Sequence, residues 1–149
     1  MSQPRCNERQ CFYTGSLEGE DGEGNGKLLH GLADKRCANY KTCGEDGNQS
    51  SGRAKVNIDM FKLLETGQLQ LQQSKCNEAR ATAEEIIKLM YIPMIQGSLR
   101  YAYKVSKLQG GEKEKAEGSV FTAAVLPRIH AACELPRLGG VLLARGRRV

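Results

Sequence analysis

Side chains that could bind a ligand are concentrated in residues 84–108 (EEIIKLMYIPMIQGSLRYAYKVSKL), which contain three of the five tyrosines in the chain. These are Tyr91, Tyr101 and Tyr103, and Arg100 stands beside them. Phenol and guanidinium groups are uncommon on the buried face of a helix, because their polar atoms need partners there. This stretch is therefore our first candidate for the functional site.

Helix geometry restricts how these tyrosines can act together. Tyr101 and Tyr103 are two residues apart, which turns their side chains about 200° from each other around a helix. An unbroken helix can therefore present only one of them to a shared ion. The pattern places Tyr103 near the buried side, after Leu99, and Tyr101 toward the side of Gly97. The simpler alternative is that both are core tyrosines with ordinary hydrogen-bond partners.

The two histidines lie outside this stretch: His30 precedes it and His130 follows it. His30 and Asp34 are four residues apart, so they share a helix face and could ligate one ion or form a hydrogen bond. The hydrogen bond is the simpler interpretation. His130 follows Pro127, and a structural role and a ligand role are both open for it, because imidazole often serves as a metal ligand.

The element that must position the tyrosines is a long helix. Residues 84–108 keep a helical hydrophobic period, which predicts a helix over 80–108. Asn77 is the expected N-terminal cap, and Pro93 is expected to kink the helix without stopping it. After a short glycine turn, a second helix is predicted over 112–132. The apolar side of the first helix is expected to contain Ile87, Met90, Met94, Ile95, Leu99, Ala102 and Val105.

Two long helices joined by a short turn must pack antiparallel to bury their apolar sides. The predicted fold class is therefore mainly α, a helical bundle built on an antiparallel hairpin of residues 80–108 and 112–132, with shorter helices and glycine-rich loops. The alternating charges of residues 112–117 are expected to form a solvated face. The apolar side of the second helix is expected to contain Ala116, Val120, Phe121, Ala123, Ala124, Leu126 and Ile129.

The shorter helices precede this hairpin. Residues 27–42 (KLLHGLADKRCANYKT) have one broad apolar face and predict a helix. A second helix is predicted over 56–64, with Asn57 as its cap and Gly67 as an interruption. Residues 68–74 (QLQLQQS) alternate like a strand but are rich in glutamine like a helix, so both assignments stay open.

Length and charge indicate one domain with dissimilar ends. Residues 1–10 are polar and expected to be disordered, residues 11–133 form the domain, and residues 134–149 are a basic, irregular tail. The net charge of +5 belongs mainly to that tail, so a nucleic-acid-binding face is not expected. No apolar stretch is long enough to span a membrane. The arginines of the tail are Arg137, Arg145, Arg147 and Arg148.

Six cysteines at wide spacing favour disulfides in an oxidising compartment over a zinc site, since no CxxC pair occurs. Cys37 and Cys43 could close a loop at a helix end, although the sequence leaves the pairing open. Asn48 begins a glycosylation sequon. The N-terminus lacks an apolar signal core, so the chain is either cytosolic or an internal piece of a longer secreted protein, which we favour. The other disulfide candidates are Cys11, Cys76 and Cys133.

Four stretches in order resemble the repeat of the algal low-iron-inducible periplasmic proteins, the iron-assimilation family that includes the phytotransferrins. They are CFYTGSLEGEDGEGNGKLLHGLADKRCANYKTCG, KVNIDMFKLLETGQ, EEIIKLMYIPMIQGSLRYAYKV and GEKEKAEGSVFTAAVLPRIHA. The resemblance covers residues 11–132. It implies a single repeat of a secreted or cell-surface protein that is not an enzyme, whose partners are ferric iron and further repeats, and whose membrane anchor lies outside this chain.

The resemblance also implies a ferric site with carbonate as a synergistic anion. Ferric iron is a hard cation that binds phenolate, carboxylate and imidazole, and Arg100 could hold the carbonate by a bidentate contact. The competing hypothesis is a helical structural or interaction module without a metal. The candidate ligands are Tyr101, Tyr103, Tyr91, Tyr13, Tyr40, His130, His30 and Asp34.

Overall fold

The structure is a computed structural model that describes residues 13–15 and 28–133, with side chains up to residue 130. Its helices are α1 (Leu29–Tyr40), α2 (Lys55–Gln72), α3 (Cys76–Lys107) and α4 (Glu112–Cys133). Apart from isolated bridges, these ranges contain no β-structure, so the predicted mainly α fold is confirmed. The expected disordered segment 1–10 and the tail 134–149 lie outside the described residues.

A disulfide fixes the connection between α1 and α2. Helix α1 ends at Tyr40, and Lys41 follows in the left-handed conformation with φ of 55°. Cys37 and Cys43 are bonded, and the backbone of Cys43 forms bridges to Gln49 and Ala54. Both cysteines are buried in the small core between α1 and α2, so the bond holds the start of the α1–α2 loop against α1 within that core.

Helix α2 is longer than the sequence predicts. It begins at Lys55 and continues through Gly67 to Gln72, so the expected interruption at Gly67 and the strand alternative for 68–74 are both wrong. A glycine inside a helix costs about 1 kcal/mol relative to alanine. That cost is too small to break a helix packed against α3, where the Cβ of an alanine at Gly67 would lie 3.5 Å from the methyl group of Thr82.

Neither predicted asparagine cap is a cap. Asn57 lies inside α2, whose N-cap position is Ala54, and Asn77 lies inside α3, whose N-cap position is Lys75. Neither of these N-cap residues makes a side-chain cap hydrogen bond. At the start of α2 the Ala54 N–H instead donates to Asp34 Oδ1 of α1 over 2.6 Å. A carboxylate distant in sequence therefore replaces the local cap.

Helices α3 and α4 form the predicted hairpin. Lys104 pairs with Glu114, Tyr101 contacts Gly118, and Gly97 faces Phe121, so residue numbers fall along α3 as they rise along α4. This order of contacts is that of antiparallel helices. Helix α3 runs unbroken through Pro93, as predicted. No helix in the described ranges is both long and apolar enough to cross a membrane.

The buried side of the hairpin differs from the predicted apolar sides. In α3 the buried residues are Thr82, Pro93 and Gly97, and in α4 Val125 is buried. Small side chains are buried because the two helices approach closely at Gly97, where an added Cβ would lie 3.0 Å from the Phe121 ring. Several predicted core residues are instead exposed: Ile87, Leu99, Ala102, Ala116, Val120, Ala123, Ala124 and Leu126.

Candidate tyrosine and arginine site

Five polar side chains from α1, α3 and α4 interact electrostatically at the junction of these helices. We call this group the tyrosine–arginine cluster; it consists of Arg36, Tyr40, Arg100, Tyr101 and Glu117. Arg36 and Tyr40 are four residues apart on α1, so they share one face of that helix. Glu117 of α4 lies opposite Tyr101 because the adjacent Gly118 allows the α4 backbone to approach the Tyr101 Cβ. Three helices therefore build the cluster.

Tyr101 is held in place by contacts of its ring with Phe121 and Lys104. Its ring stacks on Phe121, with centroids 5.7 Å apart and an angle of 10° between the planes. Lys104 Nζ lies 5.3 Å from the ring centroid, which is a cation–π distance. The Glu117 carboxylate lies near the Tyr101 hydroxyl and acts on it electrostatically. The stacking on Phe121 fixes the direction of the phenol.

The interaction of its hydroxyl with the Glu117 carboxylate raises the pKa of Tyr101, and burial raises it further. The charge of Glu117 acts in the same direction, while the charge of Arg36 lowers the pKa. Tyr101 is therefore a neutral phenol at neutral pH. A cation that binds its oxygen must displace the proton, and the neighbouring carboxylate can accept the same cation.

Arg36 places buried cationic donors beside this phenol. Its Nε and Nη1 atoms are buried, and neither has a hydrogen-bond partner within the part of the chain that the structure describes. Burial lowers the pKa of Arg36, and the charge of Arg100 lowers it as well, against opposing effects of Tyr101, Tyr40 and Glu117. Arginine nevertheless stays protonated in proteins. The guanidinium groups of Arg36 and Arg100 repel each other, and an anion between them would relieve that repulsion.

Tyr40 is already engaged by the backbone of α3. Its hydroxyl donates to the Gln96 carbonyl oxygen over 2.9 Å, and Gln96 Nε2 donates to Thr42 Oγ1 over 3.3 Å. Burial raises the pKa of Tyr40, whereas Arg36 and Arg100 lower it. Because its hydroxyl has this partner, Tyr40 positions α1 against α3 rather than offering a free ligand.

The other predicted hydroxyl and imidazole ligands do not lie beside Tyr101. Tyr103 is 55 % exposed, contrary to the expectation that it lies near the buried side of the helix. Tyr91 is ten residues from Tyr101, about 15 Å along the helix axis. His130 is exposed near the end of α4. It is thirteen residues from Glu117, about 20 Å along the helix axis. Of the three tyrosines of α3, Tyr101 is therefore the one that belongs to the cluster.

His30 and Asp34 belong to a separate buried network around Asn57. His30 Nδ1 lies 3.7 Å from Asp34 Oδ2, and the imidazole packs edge-on against the Tyr13 and Phe61 rings. Asn57 donates to Asp34 Oδ1 over 2.8 Å and to the His30 carbonyl oxygen over 3.1 Å. The Tyr13 hydroxyl donates to Asn57 Oδ1 over 2.6 Å. These contacts connect α1 to α2.

The described cysteines and the sequon are placed as follows. The Cys37–Cys43 disulfide is present, Cys76 is exposed and unbonded, and Cys11 and the Cys133 side chain lie outside what the structure describes. Asn48 is exposed in the loop between α1 and α2, five residues after Cys43, where a glycan would have access to it.

Two members of the cluster, Arg36 and Glu117, do not stand out in the sequence. Glu117 ends a run of alternating charges that predicts a solvated face, and Arg36 follows Lys35 as one of two adjacent cations on α1. Only the packing of three helices brings them to Tyr101. Among the residues the structure describes, no group of three or more His, Cys, Asp or Glu side chains could hold a metal ion.

Comparisons with protein-family models, with curated proteins and with solved structures give no match to this chain.

Proposed function

We propose that this chain is a ferric iron binding module in which Tyr101 and Glu117 ligate the metal. Arg36 and Arg100 would hold carbonate as the synergistic anion. The observation that carries the proposal is that Tyr101 and Glu117 line one groove, near the buried and unpartnered donors of Arg36. Phenolate and carboxylate are hard oxygen ligands, and two guanidinium groups recognise a planar oxyanion.

The chemistry of binding follows from the state of Tyr101. Its phenol is neutral before the metal arrives, so each ferric ion that binds the phenolate releases a proton. Below the pKa of Tyr101, the affinity for iron is therefore expected to fall as the pH falls. The positive charge of Arg36 favours the phenolate and offsets part of the effect of Glu117.

The sequence resemblance to the algal iron-assimilation repeat supports the same function. On that resemblance we propose that the chain acts at a cell surface or in a secreted protein with further repeats, where it captures iron for uptake. The Cys37–Cys43 disulfide suits an oxidising compartment. Capture of an ion requires no catalytic step, so we propose a binding protein and not an enzyme.

A spectroscopic titration tests this proposal. Ferrous iron is added in air to the oxidised protein with bicarbonate present, and the visible spectrum is followed as the iron oxidises. We expect a phenolate-to-iron charge-transfer band that saturates at one iron per chain and is weaker without bicarbonate. The Glu117→Gln variant should bind iron at least about tenfold more weakly, because it loses a charged ligand. Absence of any band and of bound iron at micromolar iron would rule out the proposal.

A helical interaction module without a metal is the second candidate, and a specific observation favours it. The α3–α4 hairpin leaves large apolar side chains exposed, including Leu99 at 57 % and Val120 at 68 %. Such exposure is typical of protein interaction sites. This function predicts no iron band, and self-association or partner binding that changes when Leu99 is replaced by a charged residue.

A further inference from the structure

The proposed ferric site lies in a groove whose apolar lining would contact neither the metal nor carbonate. The groove runs between α1 and α4 and has a volume of about 470 Å³. Its apolar lining comes from Leu32 of α1 and from Ala116, Val120 and Phe121 of α4. A volume of this order and a mainly apolar lining with a few polar groups are typical of sites for small organic molecules.

The polar groups of this groove are the proposed iron ligands and a cation. Tyr101 and Glu117 line the groove directly, so a metal bound by them would stand at its inner surface. Lys35 also lines the groove, and the charge of Arg36 acts on Tyr101 from outside the lining. When Glu117 binds the metal, Lys35 is the remaining charged residue of the lining. A ligand in the groove is therefore expected to be anionic.

The number of protein ligands leads to the same kind of molecule. Tyr101 and Glu117 provide two side-chain ligands, and the described part of the chain has no cluster of three His, Cys, Asp or Glu residues that could hold a metal by itself. Ferric iron needs several more donors, which must come from outside the protein. Carbonate supplies two oxygens but makes no use of the apolar lining. An organic chelator supplies oxygens to the metal and carbon atoms to Leu32 and Val120.

We propose that the groove binds ferric iron as its complex with a small anionic hydroxycarboxylate. The chelator oxygens would complete the metal shell at Tyr101 and Glu117, and its negative charge would face Lys35. Its carbon skeleton would lie along Leu32 and Val120. The inference rests on the proposed function, and it assigns to the chelator the coordination positions that carbonate takes when no chelator is present.

Ferric citrate is the probe that tests the inference, with Val120→Asp as the decisive variant. Val120 is 68 % exposed, so its replacement should leave the fold intact, but a carboxylate there repels an anionic chelate and wets the groove. The matched control is Leu126→Asp, an exposed apolar residue of α4 that lies outside this groove and lines the neighbouring groove on the other side of Tyr101's contacts with α4. Radiolabelled citrate and iron are measured together by equilibrium dialysis, and bicarbonate-supported iron binding is followed by its visible band.

Wild-type protein should retain citrate and iron in a one-to-one ratio. Val120→Asp should bind ferric citrate about tenfold more weakly, which is the usual scale for loss of an apolar pocket contact, while its bicarbonate-supported band stays unchanged. Leu126→Asp should match wild type in both assays. Iron retained without citrate, or equal effects of Val120→Asp on both forms of iron, would overturn the inference and leave the ferric site standing. Failure to bind iron in either form would overturn both.

Discussion

At the residue scale, Asn57 does more to connect the helices than its sequence position indicates. It is fully buried, and its amide donates to α1 while its oxygen accepts from Tyr13. A buried amide is tolerated only when its polar atoms are paired, and three of the four hydrogen-bonding positions of this one are used. The network therefore specifies how α2 docks on α1.

Removing the Tyr13 hydroxyl measures how much this hydrogen-bond network contributes to the free energy of unfolding. Tyr13→Phe leaves Asn57 Oδ1 buried without its donor, and we expect a loss of about 1–3 kcal/mol in the free energy of unfolding. Urea unfolding followed by circular dichroism measures it. Tyr103→Phe is the control, since that side chain is 55 % exposed and should change stability by less than about 0.5 kcal/mol. Equal stability of the two variants would contradict this account of the network.

Burial and the charge of Asp34 also raise the pKa of Tyr13, which gives the protein a pH dependence. A pKa that is higher in the folded state than in the unfolded state contributes stability below the unfolded value of about 10, and this stability is lost as the pH rises through the folded pKa. Tyr13→Phe should therefore lose less stability than wild type between pH 9 and pH 11 (roughly the range around the unfolded pKa). A parallel decline in both proteins would show that Tyr13 does not contribute.

At the scale of elements, the Cys37–Cys43 disulfide closes the α1–α2 loop on the small core. The bond spans a sequence separation of 6. Replacing both cysteines by serine should lower the free energy of unfolding by about 2 kcal/mol, the chain-entropy value for so short a loop. Cys76→Ser is the control, because Cys76 is exposed and unbonded. A loss below about 0.5 kcal/mol in the double variant would mean that the loop holds its shape without the bond.

The close approach of α3 and α4 at Gly97 is a second feature at this scale. Gly97→Val would drive methyl groups into the Phe121 ring, where even a Cβ lies 3.0 Å from the nearest ring carbon. We expect destabilisation of about 1–3 kcal/mol, measured by thermal unfolding. Because Phe121 stacks on Tyr101, the iron band should weaken as well.

Gly67→Ala is the matched control for this helix-to-helix test. Its added Cβ would make an ordinary contact of 3.5 Å with Thr82, so it should be neutral or stabilise by up to about 1 kcal/mol through better helix propensity. Equal destabilisation by both substitutions would contradict the view that Gly97 sets the distance between the helices.

At the scale of the whole molecule, sequence periodicity predicts the helices better than it predicts their buried sides. The hairpin of α3 and α4 follows from two long periodic stretches and a short turn. The exposure of Leu99 and Val120 could not be predicted, because periodicity identifies an apolar side without saying whether another element covers it. The extension of α2 through Gly67 was missed because packing on α3 outweighs a small local cost.

The candidate site was predictable only in part. Helix geometry predicts that Tyr101 and Tyr103 cannot face one ion together, and the structure places Tyr101 in the cluster while Tyr103 is exposed. Arg36 and Glu117 could not be found from spacing, since their proximity depends on three helices meeting. The proposal of a ferric site therefore depends on tertiary packing that the sequence does not display.

The most direct measurement is the ferric titration of Tyr101→Phe and Tyr103→Phe side by side, with bicarbonate present. Of these two tyrosines, Tyr101 is the one near Glu117 and Arg36. We therefore expect Tyr101→Phe to lose the charge-transfer band and Tyr103→Phe to keep the wild-type band. Equal loss in both variants, or a full band in Tyr101→Phe, would contradict the assignment of the ferric ligand to Tyr101.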